Sequence, residues 1–221
     1  MRIIVLLLIP LLSFSAWPDV ITRFNGTEKA IALTFDACET RSRVVLDTAL
    51  VKVLTNQKVP FTLFVSGKFC AHNAKELRRL ARLSYVEIEN HGLSHSKNIT
   101  NMDEAGLARE VLTNSRLIRR KLGVSPKYFR FPYGRCNPGS VKAVESMGFK
   151  VVHWSFASGD ADPKLTGKAV REWVLRKSRS GSILIFHING RGWHTAEFLP
   201  GVLDALRERG YRFIRLDEVL R

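Results

Sequence analysis

From Ile31 onward, short apolar runs alternate with stretches in which apolar residues recur at helical spacing. The runs Ile31–Asp36, Pro60–Val65, Val86–Glu89, Tyr128–Phe131, Lys150–Trp154, Ile183–His187 and Tyr211–Arg215 are rich in β-branched and aromatic residues and bounded by turn residues, which predicts strands. Between them, Val44–Thr55, Lys75–Leu83, Asp103–Leu122, Ser140–Met147, Gly167–Lys177 and Ala196–Arg209 carry the helical pattern. Gly123, Gly148 and Gly210 stand just past predicted helix ends, and Asn101 precedes Glu104 by three residues as a candidate capping box. About seven βα units result. Such units imply parallel strands joined by helical crossovers, so the chain is read as one α/β domain, either an open doubly wound sheet or a (β/α) barrel.

The N-terminus breaks this pattern. Met1 and Arg2 open a short positive region, Ile3–Leu12 is almost wholly aliphatic with Pro10 inside it, and Ser13–Ala16 supplies small residues. The run is shorter than the roughly 20 residues that span a bilayer, so residues 1–16 read as an export signal and residues 17–221 as the mature domain, in a periplasm or outside the cell. No later segment is a membrane candidate. Lys and Arg number 35 against 20 Asp and Glu, a formal net charge of +15, so the partner expected is anionic. Export disfavours nucleic acid and leaves an envelope polymer. The three cysteines, Cys38, Cys70 and Cys136, leave at least one unpaired; small buried hydrophobes with one bridge is the plain reading.

In either architecture the reactive groups gather at the C-terminal ends of the strands. Five of these ends carry polar residues: Asp36, His91 with His95, Arg130 with Tyr133, Asp160, and His187. A charge placed directly after a buried strand is costly unless paired, so five together argue for a cluster. His91 and His95 are spaced i, i+4, which on a helical turn puts two imidazoles on one face where they can share a metal ion. A carboxylate, a free imidazole and a divalent ion are what metal-assisted hydrolysis needs.

Five motifs, Thr34–Asp36 (TFD), Asn90–His95 (NHGLSH), Arg130–Gly134 (RFPYG), Ser158 with Asp160, and Ile183–His187 (ILIFH), stand in the order found in the polysaccharide deacetylases of carbohydrate esterase family 4, the NodB-homology domain. The resemblance covers essentially the whole mature chain and implies a distorted (β/α) barrel. It implies further that Asp36 is the general base that takes a proton from the attacking water, and that Arg130 orients it. His91 and His95 would hold a Zn²⁺-type ion, with Co²⁺ or another divalent ion as alternatives. His187 would be the general acid supported by Asp160, and the backbone N–H of Tyr133 would stabilise the oxyanion. Tyr133, Ile185 and Trp193 are the candidate substrate contacts, with Trp154 as an alternative aromatic.

The chain departs from the family pattern at two places. Ala37 stands where most members carry a second Asp that completes the metal site. If the strand stays extended, Glu39 lies on the side of Ala37 about 6.6 Å away, while Cys38 shares the side of Asp36. Glu39 is therefore expected as the third ligand in preference to Cys38 or a site with two protein ligands. At the fourth motif, Ala161 stands where the family often has Trp. The function expected is metal-dependent removal of N-acetyl groups from peptidoglycan or another N-acetylglucosamine-containing envelope glycan. The alternatives are a catalytically silent glycan-binding relative and a deformylase acting on lipid-linked sugars.

Overall fold

Side chains along the first long strand, β1 (Ala30–Ala37), alternate between two environments, and this alternation organises the molecule. Ile31, Leu33, Phe35 and Ala37 enter a large apolar core shared with helices, whereas Ala30 and Ala32 pack on the opposite face with Phe64, Ile183 and Ile214. The computed structural model describes residues 20–26, 28–39 and 45–220, so the signal reading of residues 1–16 lies outside the described residues. The remaining strands are β2 (Phe61–Val65), β3 (Val86–Asn90), β4 (Tyr128–Phe129), β5 (Lys150–Val151), β6 (Phe156–Ala157), β7 (Ser182–His187) and β8 (Arg212–Ile214). The helices are α1 (Thr48–Asn56), α2 (Gly67–His72), α3 (Ala74–Leu80), α4 (Glu104–Ala108), α5 (Asn114–Leu122), α6 (Pro138–Ser146), α7 (Gly167–Lys177) and α8 (Thr195–Glu208).

The strand pairings are parallel, in the order β5-β4-β3-β2-β1-β7-β6 with β8 added on β1. One edge of β1 is shared, since Ala30–Ala32 pair with β8 and Thr34–Ala37 with β2, while β7 runs along Ile31–Asp36. The curl is completed by the N-terminal segment. Ile21 bridges Val152, and Arg23 bridges Ser182 in the antiparallel sense. The fold is the distorted (β/α) barrel, with one strand more than the seven expected.

The differences from the sequence reading have local causes. Lys150–Trp154 was expected as one strand, but pairing stops at Val151 and resumes at Phe156, where β6 joins β7. The long helix expected over Asp103–Leu122 contains a π-helical turn at Arg109–Thr113. Its cap is Asp103, whose Oδ1 accepts from the Gly106 N–H at 2.7 Å; Asn101 instead ends a 3-10 turn. All three cysteines are free, so no bridge forms among them.

The barrel interior is partly polar. Glu87 and Glu89 both point inward from β3. Glu87 accepts from Thr62 Oγ1 at 2.5 Å and the Leu216 N–H at 3.0 Å, and Glu89 accepts from the Lys127 and Tyr128 N–H groups, each at 2.7 Å. Burial raises both carboxyls, Glu87 to about 7 and Glu89 well above the carboxylate range, and the proximity of each to the other's charge adds to the rise in Glu89. The folded state therefore holds protons that the unfolded chain releases, and this contribution to stability falls as pH rises from the ordinary Glu range through about 7. Glu87→Gln is expected to gain stability relative to the wild type as pH is raised from about 5 to about 8, on the order of 1–3 kcal/mol in denaturant titrations. A constant difference across that range would contradict this account.

Candidate active site

β1 delivers Asp36 to the C-terminal mouth of the barrel, where it is 4% exposed. Its Oδ1 accepts from Arg130 Nη1 at 2.9 Å, and Oδ2 lies 3.4 Å from His91 Nε2. Arg130 follows β4 and is fully buried. Its Nε and Nη2 donate to the carbonyls of Val152 and His153 at 3.2 and 2.9 Å, so the guanidinium is held in place by backbone as well as by Asp36. Burial by itself would raise the Asp36 carboxyl, but the attraction of His91, Arg130 and His187 outweighs it and holds the group down to about 2.

Across the mouth, the end of β7 places His187 against Asp160, which follows β6. His187 Nδ1 is 2.9 Å from Asp160 Oδ1, and the His187 backbone N–H donates to Oδ2 at 2.7 Å. Ser158 Oγ and Thr195 Oγ1 donate to the same carboxylate at 2.9 and 3.2 Å. Burial opposes the imidazolium, yet Asp160 overrides it, and the His187 pKa is raised. Asp36 and His187 are paired residues of adjacent strands, which puts an ionised carboxylate and a proton-holding imidazole side by side in register.

A third group lies beside them. Cys38, His91 and His95 present ligand atoms that all lie within 4.8 Å of one another, and all three residues are buried. His91 Nδ1 is 2.8 Å from the Arg130 carbonyl, which orients the ring and turns Nε2 inward, where it is buried with no hydrogen-bond partner. Burial lowers both imidazoles, His95 to about 3, so each offers a neutral lone pair at neutral pH. Burial raises the Cys38 thiol, and the Asn189 side-chain N–H contacts its Sγ at 3.1 Å. A nearby cation would reverse that shift and favour thiolate. Two neutral imidazoles, an orphaned buried nitrogen and a hydrogen-bonded sulfur fit a divalent ion of the Zn²⁺ type.

Cys38, rather than the expected Glu39, is the residue grouped with the two histidines. Glu39 is absent from this cluster, and its Oε2 accepts from Ser66 Oγ at 2.5 Å. Alternation along β1 explains the difference: Ala37 faces the outer apolar core, so the Asp36 side of the strand leads to the ligand position and Cys38 is the residue on that side. The two histidines also converge differently from the expected helical turn. Residues 91–96 form a looped segment in which Gly92 has φ 80° and His95 φ 51°. What holds this loop is not among the residues singled out from the sequence. Glu110, in the π-helical turn, accepts from Ser94 Oγ and the Ser94 N–H at 2.7 and 2.9 Å, and Asn90 Oδ1 accepts from Gly92 N–H and Asn114 Nδ2. Buried polar residues in an otherwise amphipathic helix were the available signal.

A cavity of about 480 Å³ opens over these groups, lined by Asp36, Cys38, His95, Tyr133, Ile185 and His187 among others. The Tyr133 ring lies 4.6 Å from that of His95, on backbone with φ 58°. Trp154 lines the cavity, whereas Trp193 is exposed and is not among its lining residues.

Fold and site together define a distorted (β/α)-barrel protein with a histidine–carboxylate centre at the strand mouth. The polysaccharide deacetylase family model matches residues 24–152, and the chain belongs to that family. It is similar to a peptidoglycan-N-acetylglucosamine deacetylase of Bacillus cereus, with 28% identity over 89% of this chain and 90% of the relative. Among solved structures, a family 4 carbohydrate esterase from Bacillus anthracis superposes with a TM-score of 0.75 at 27% identity, covering 92% of this chain and 87% of the other. A family 4 pseudoenzyme from the same organism shares the fold at a TM-score of 0.80 and 20% identity, covering 92% of this chain and 69% of the other.

The His187–Asp160 geometry sets a direct expectation. In an NMR titration the His187 imidazole is expected to titrate above its ordinary value in the wild type and distinctly lower in Asp160→Asn, because burial is then opposed only by the more weakly acting Asp36. An unchanged midpoint in the variant would show that Asp160 does not govern His187.

Proposed function

We propose that the protein is an exported, metal-dependent hydrolase that removes N-acetyl groups from an envelope polysaccharide such as peptidoglycan, with residues 1–16 as export signal and 17–221 as the deacetylase domain. The observation that carries this reading is the placement of two differently tuned pairs, Asp36–Arg130 and His187–Asp160, on adjacent strands beside the Cys38–His91–His95 cluster. Family membership and the similarity to a peptidoglycan-N-acetylglucosamine deacetylase support the substrate class. No helix among the described residues is long and apolar enough to cross a membrane.

Cys38, His91 and His95 would hold the ion, Zn²⁺ or Co²⁺ by the donor set, with Glu39 outside the ligand set. Bound there, it supplies Lewis-acid polarisation of the amide carbonyl and a positive charge that favours the deprotonated nucleophile. Asp36 is ionised at neutral pH and accepts the proton of the attacking water, and Arg130 keeps its Oδ2 free by occupying Oδ1. The left-handed backbone at Tyr133 presents its N–H to the developing oxyanion. His187, protonated through Asp160, donates its proton to the amide nitrogen as the C–N bond breaks, which releases acetate and leaves a free amine on the sugar. Ile185 and the Tyr133 ring, with Trp154, flank the acetyl group and sugar.

Ala37 favours a second reading, a silent glycan binder, because no carboxylate from that position enters the cavity. Retention of an acid and a base pair has no use in binding alone.

Acetate release from purified peptidoglycan separates the two. The mature protein is expected to release acetate with Zn²⁺ or Co²⁺, to lose that activity with chelator, and to lose about 10²- to 10⁴-fold in kcat in His187→Ala. No release from folded, metal-loaded protein would favour the silent binder; release only from formylated sugars would favour a deformylase. The ligand set has its own readout. Co²⁺-loaded protein is expected to show a near-ultraviolet thiolate-to-metal charge-transfer band that disappears in Cys38→Ser and persists in Glu39→Ala. Loss of the metal in Glu39→Ala with the band intact in Cys38→Ser would restore Glu39 as the ligand.

A further inference from the structure

The loop between β7 and α8 holds a cation against the cavity with no side-chain partner among the described residues. On one side of Arg191, Asn189 Nδ2 donates to the Cys38 carbonyl at 2.5 Å, and Asn189 Oδ1 accepts from the Arg191 N–H at 3.2 Å. On the other side, the Trp193 N–H donates to the Asp160 carbonyl at 2.8 Å. Gly192 lies so close to the site that a Cβ there would meet the His187 carbonyl and Thr195 Oγ1, each at 2.5 Å. The backbone of Arg191 is thus tied to both halves of the active site. Its side chain lines the cavity with Asp36, Cys38, His95 and His187, and among the described residues its guanidinium has no hydrogen-bond or ion-pair partner.

The surrounding charges leave Arg191 uncompensated. Asp36 is committed to Arg130, Asp160 to His187, and Glu39 to Ser66. Asp162 lies on the outer wall, where its Oδ1 caps the Lys164 N–H at 2.9 Å. Two further cations stand at the mouth: Lys97 Nζ is 5.7 Å and Arg135 Cζ 6.0 Å from the centre of the exposed Tyr133 ring. Arg191 lines the same cavity as His95, Tyr133 and His187, which places it at the mouth with them.

We infer that Arg191 is a specificity residue that binds a carboxylate carried by the glycan, so that the preferred substrate is an N-acetylated glycan bearing an acid on the sugar at, or next to, the one that is deacetylated. A guanidinium fork pairs with a planar carboxylate through two parallel hydrogen bonds, and a pre-positioned backbone reduces the ordering cost of forming them. This inference rests on the deacetylase reading above. Two kinds of glycan carry the required acid: the lactyl ether of muramic acid, and a uronic acid.

The test compares acetate release from four metal-loaded assays: neutral N-acetylglucosamine tetramer, oligomers alternating N-acetylglucosamine with N-acetylmuramic acid, the same oligomers as methyl esters, and oligomers alternating N-acetylglucosamine with glucuronic acid. The wild type is expected to prefer a free-acid oligomer over its uncharged counterpart. Arg191→Gln should lower the ratio of kcat/KM on that acid to kcat/KM on the neutral tetramer or the methyl ester about 10- to 100-fold, chiefly through KM on the acid. Whichever acid shows the Arg191-dependent loss identifies the source of the carboxylate. Equal losses on acid and neutral substrates, or no loss on either acid, would overturn the inference. If the wild type releases no acetate from any substrate, the deacetylase reading fails, and calorimetry with the same oligomers still decides the role of Arg191. Tighter binding of an acid than of its ester, abolished in Arg191→Gln, sustains it; equal binding or none overturns it.

Discussion

A guanidinium without exposed surface, enclosed by the strands of the barrel, is the interaction on which the site depends. Arg130 bonds Asp36 through one nitrogen and the carbonyls of Val152 and His153 through the others, and it lies 3.9 Å from the centre of the Phe64 ring. Removing either partner of a buried pair like this leaves an uncompensated charge and costs about 3–5 kcal/mol. The pair therefore ties the base to the geometry of the β4–β5 side of the barrel. The Arg130 carbonyl in turn receives the His91 ring, so one residue orients both the Asp36 carboxylate and the His91 imidazole. Few rearrangements of the mouth are open to a structure joined in this way.

The same logic of borrowed order governs the loops. The His91–His95 segment has no regular structure of its own and is held by Glu110, Asn90 and Asn114. The Asn189–Trp193 loop is held by Cys38 and Asp160. Each loop takes its conformation from polar groups buried beside the chemistry, and left-handed backbone at His95 and Tyr133 persists because those contacts over-determine it. Cys38 brings a sulfur, rather than a carboxylate, beside the two imidazoles, a donor set that suits Zn²⁺ over the harder cations that carboxylates and waters select.

Much of this was legible in the amino-acid order. The alternation of apolar runs and helical stretches placed the strands that carry Asp36, Arg130 and His187, and α7 begins and ends where its pattern does. Strand ends announced the pairs, since charged residues directly after buried runs need partners. Errors fell where the reading assumed regular geometry beyond the last paired residue. Glu39 stands outside the Cys38–His91–His95 cluster although strand alternation carried past Ala37 points to it, His91 and His95 meet through a loop rather than a helical turn, and Trp193 follows a strand without lining the cavity.

By itself, the sequence determined the long strands β1, β2, β3 and β7 and which residue types stand at the mouth, because these follow from local periodicity and from the cost of burying unpaired charge. Only the tertiary structure decided which of those residues meet. Cys38 rather than Glu39 joins the histidines, Trp154 rather than Trp193 walls the cavity, and Arg191 has no side-chain partner among the described residues, because contacts across the barrel depend on the curl of the sheet and on loops anchored by residues from 16 to 151 positions away in the chain. Local pattern carries no record of such distances; packing creates them.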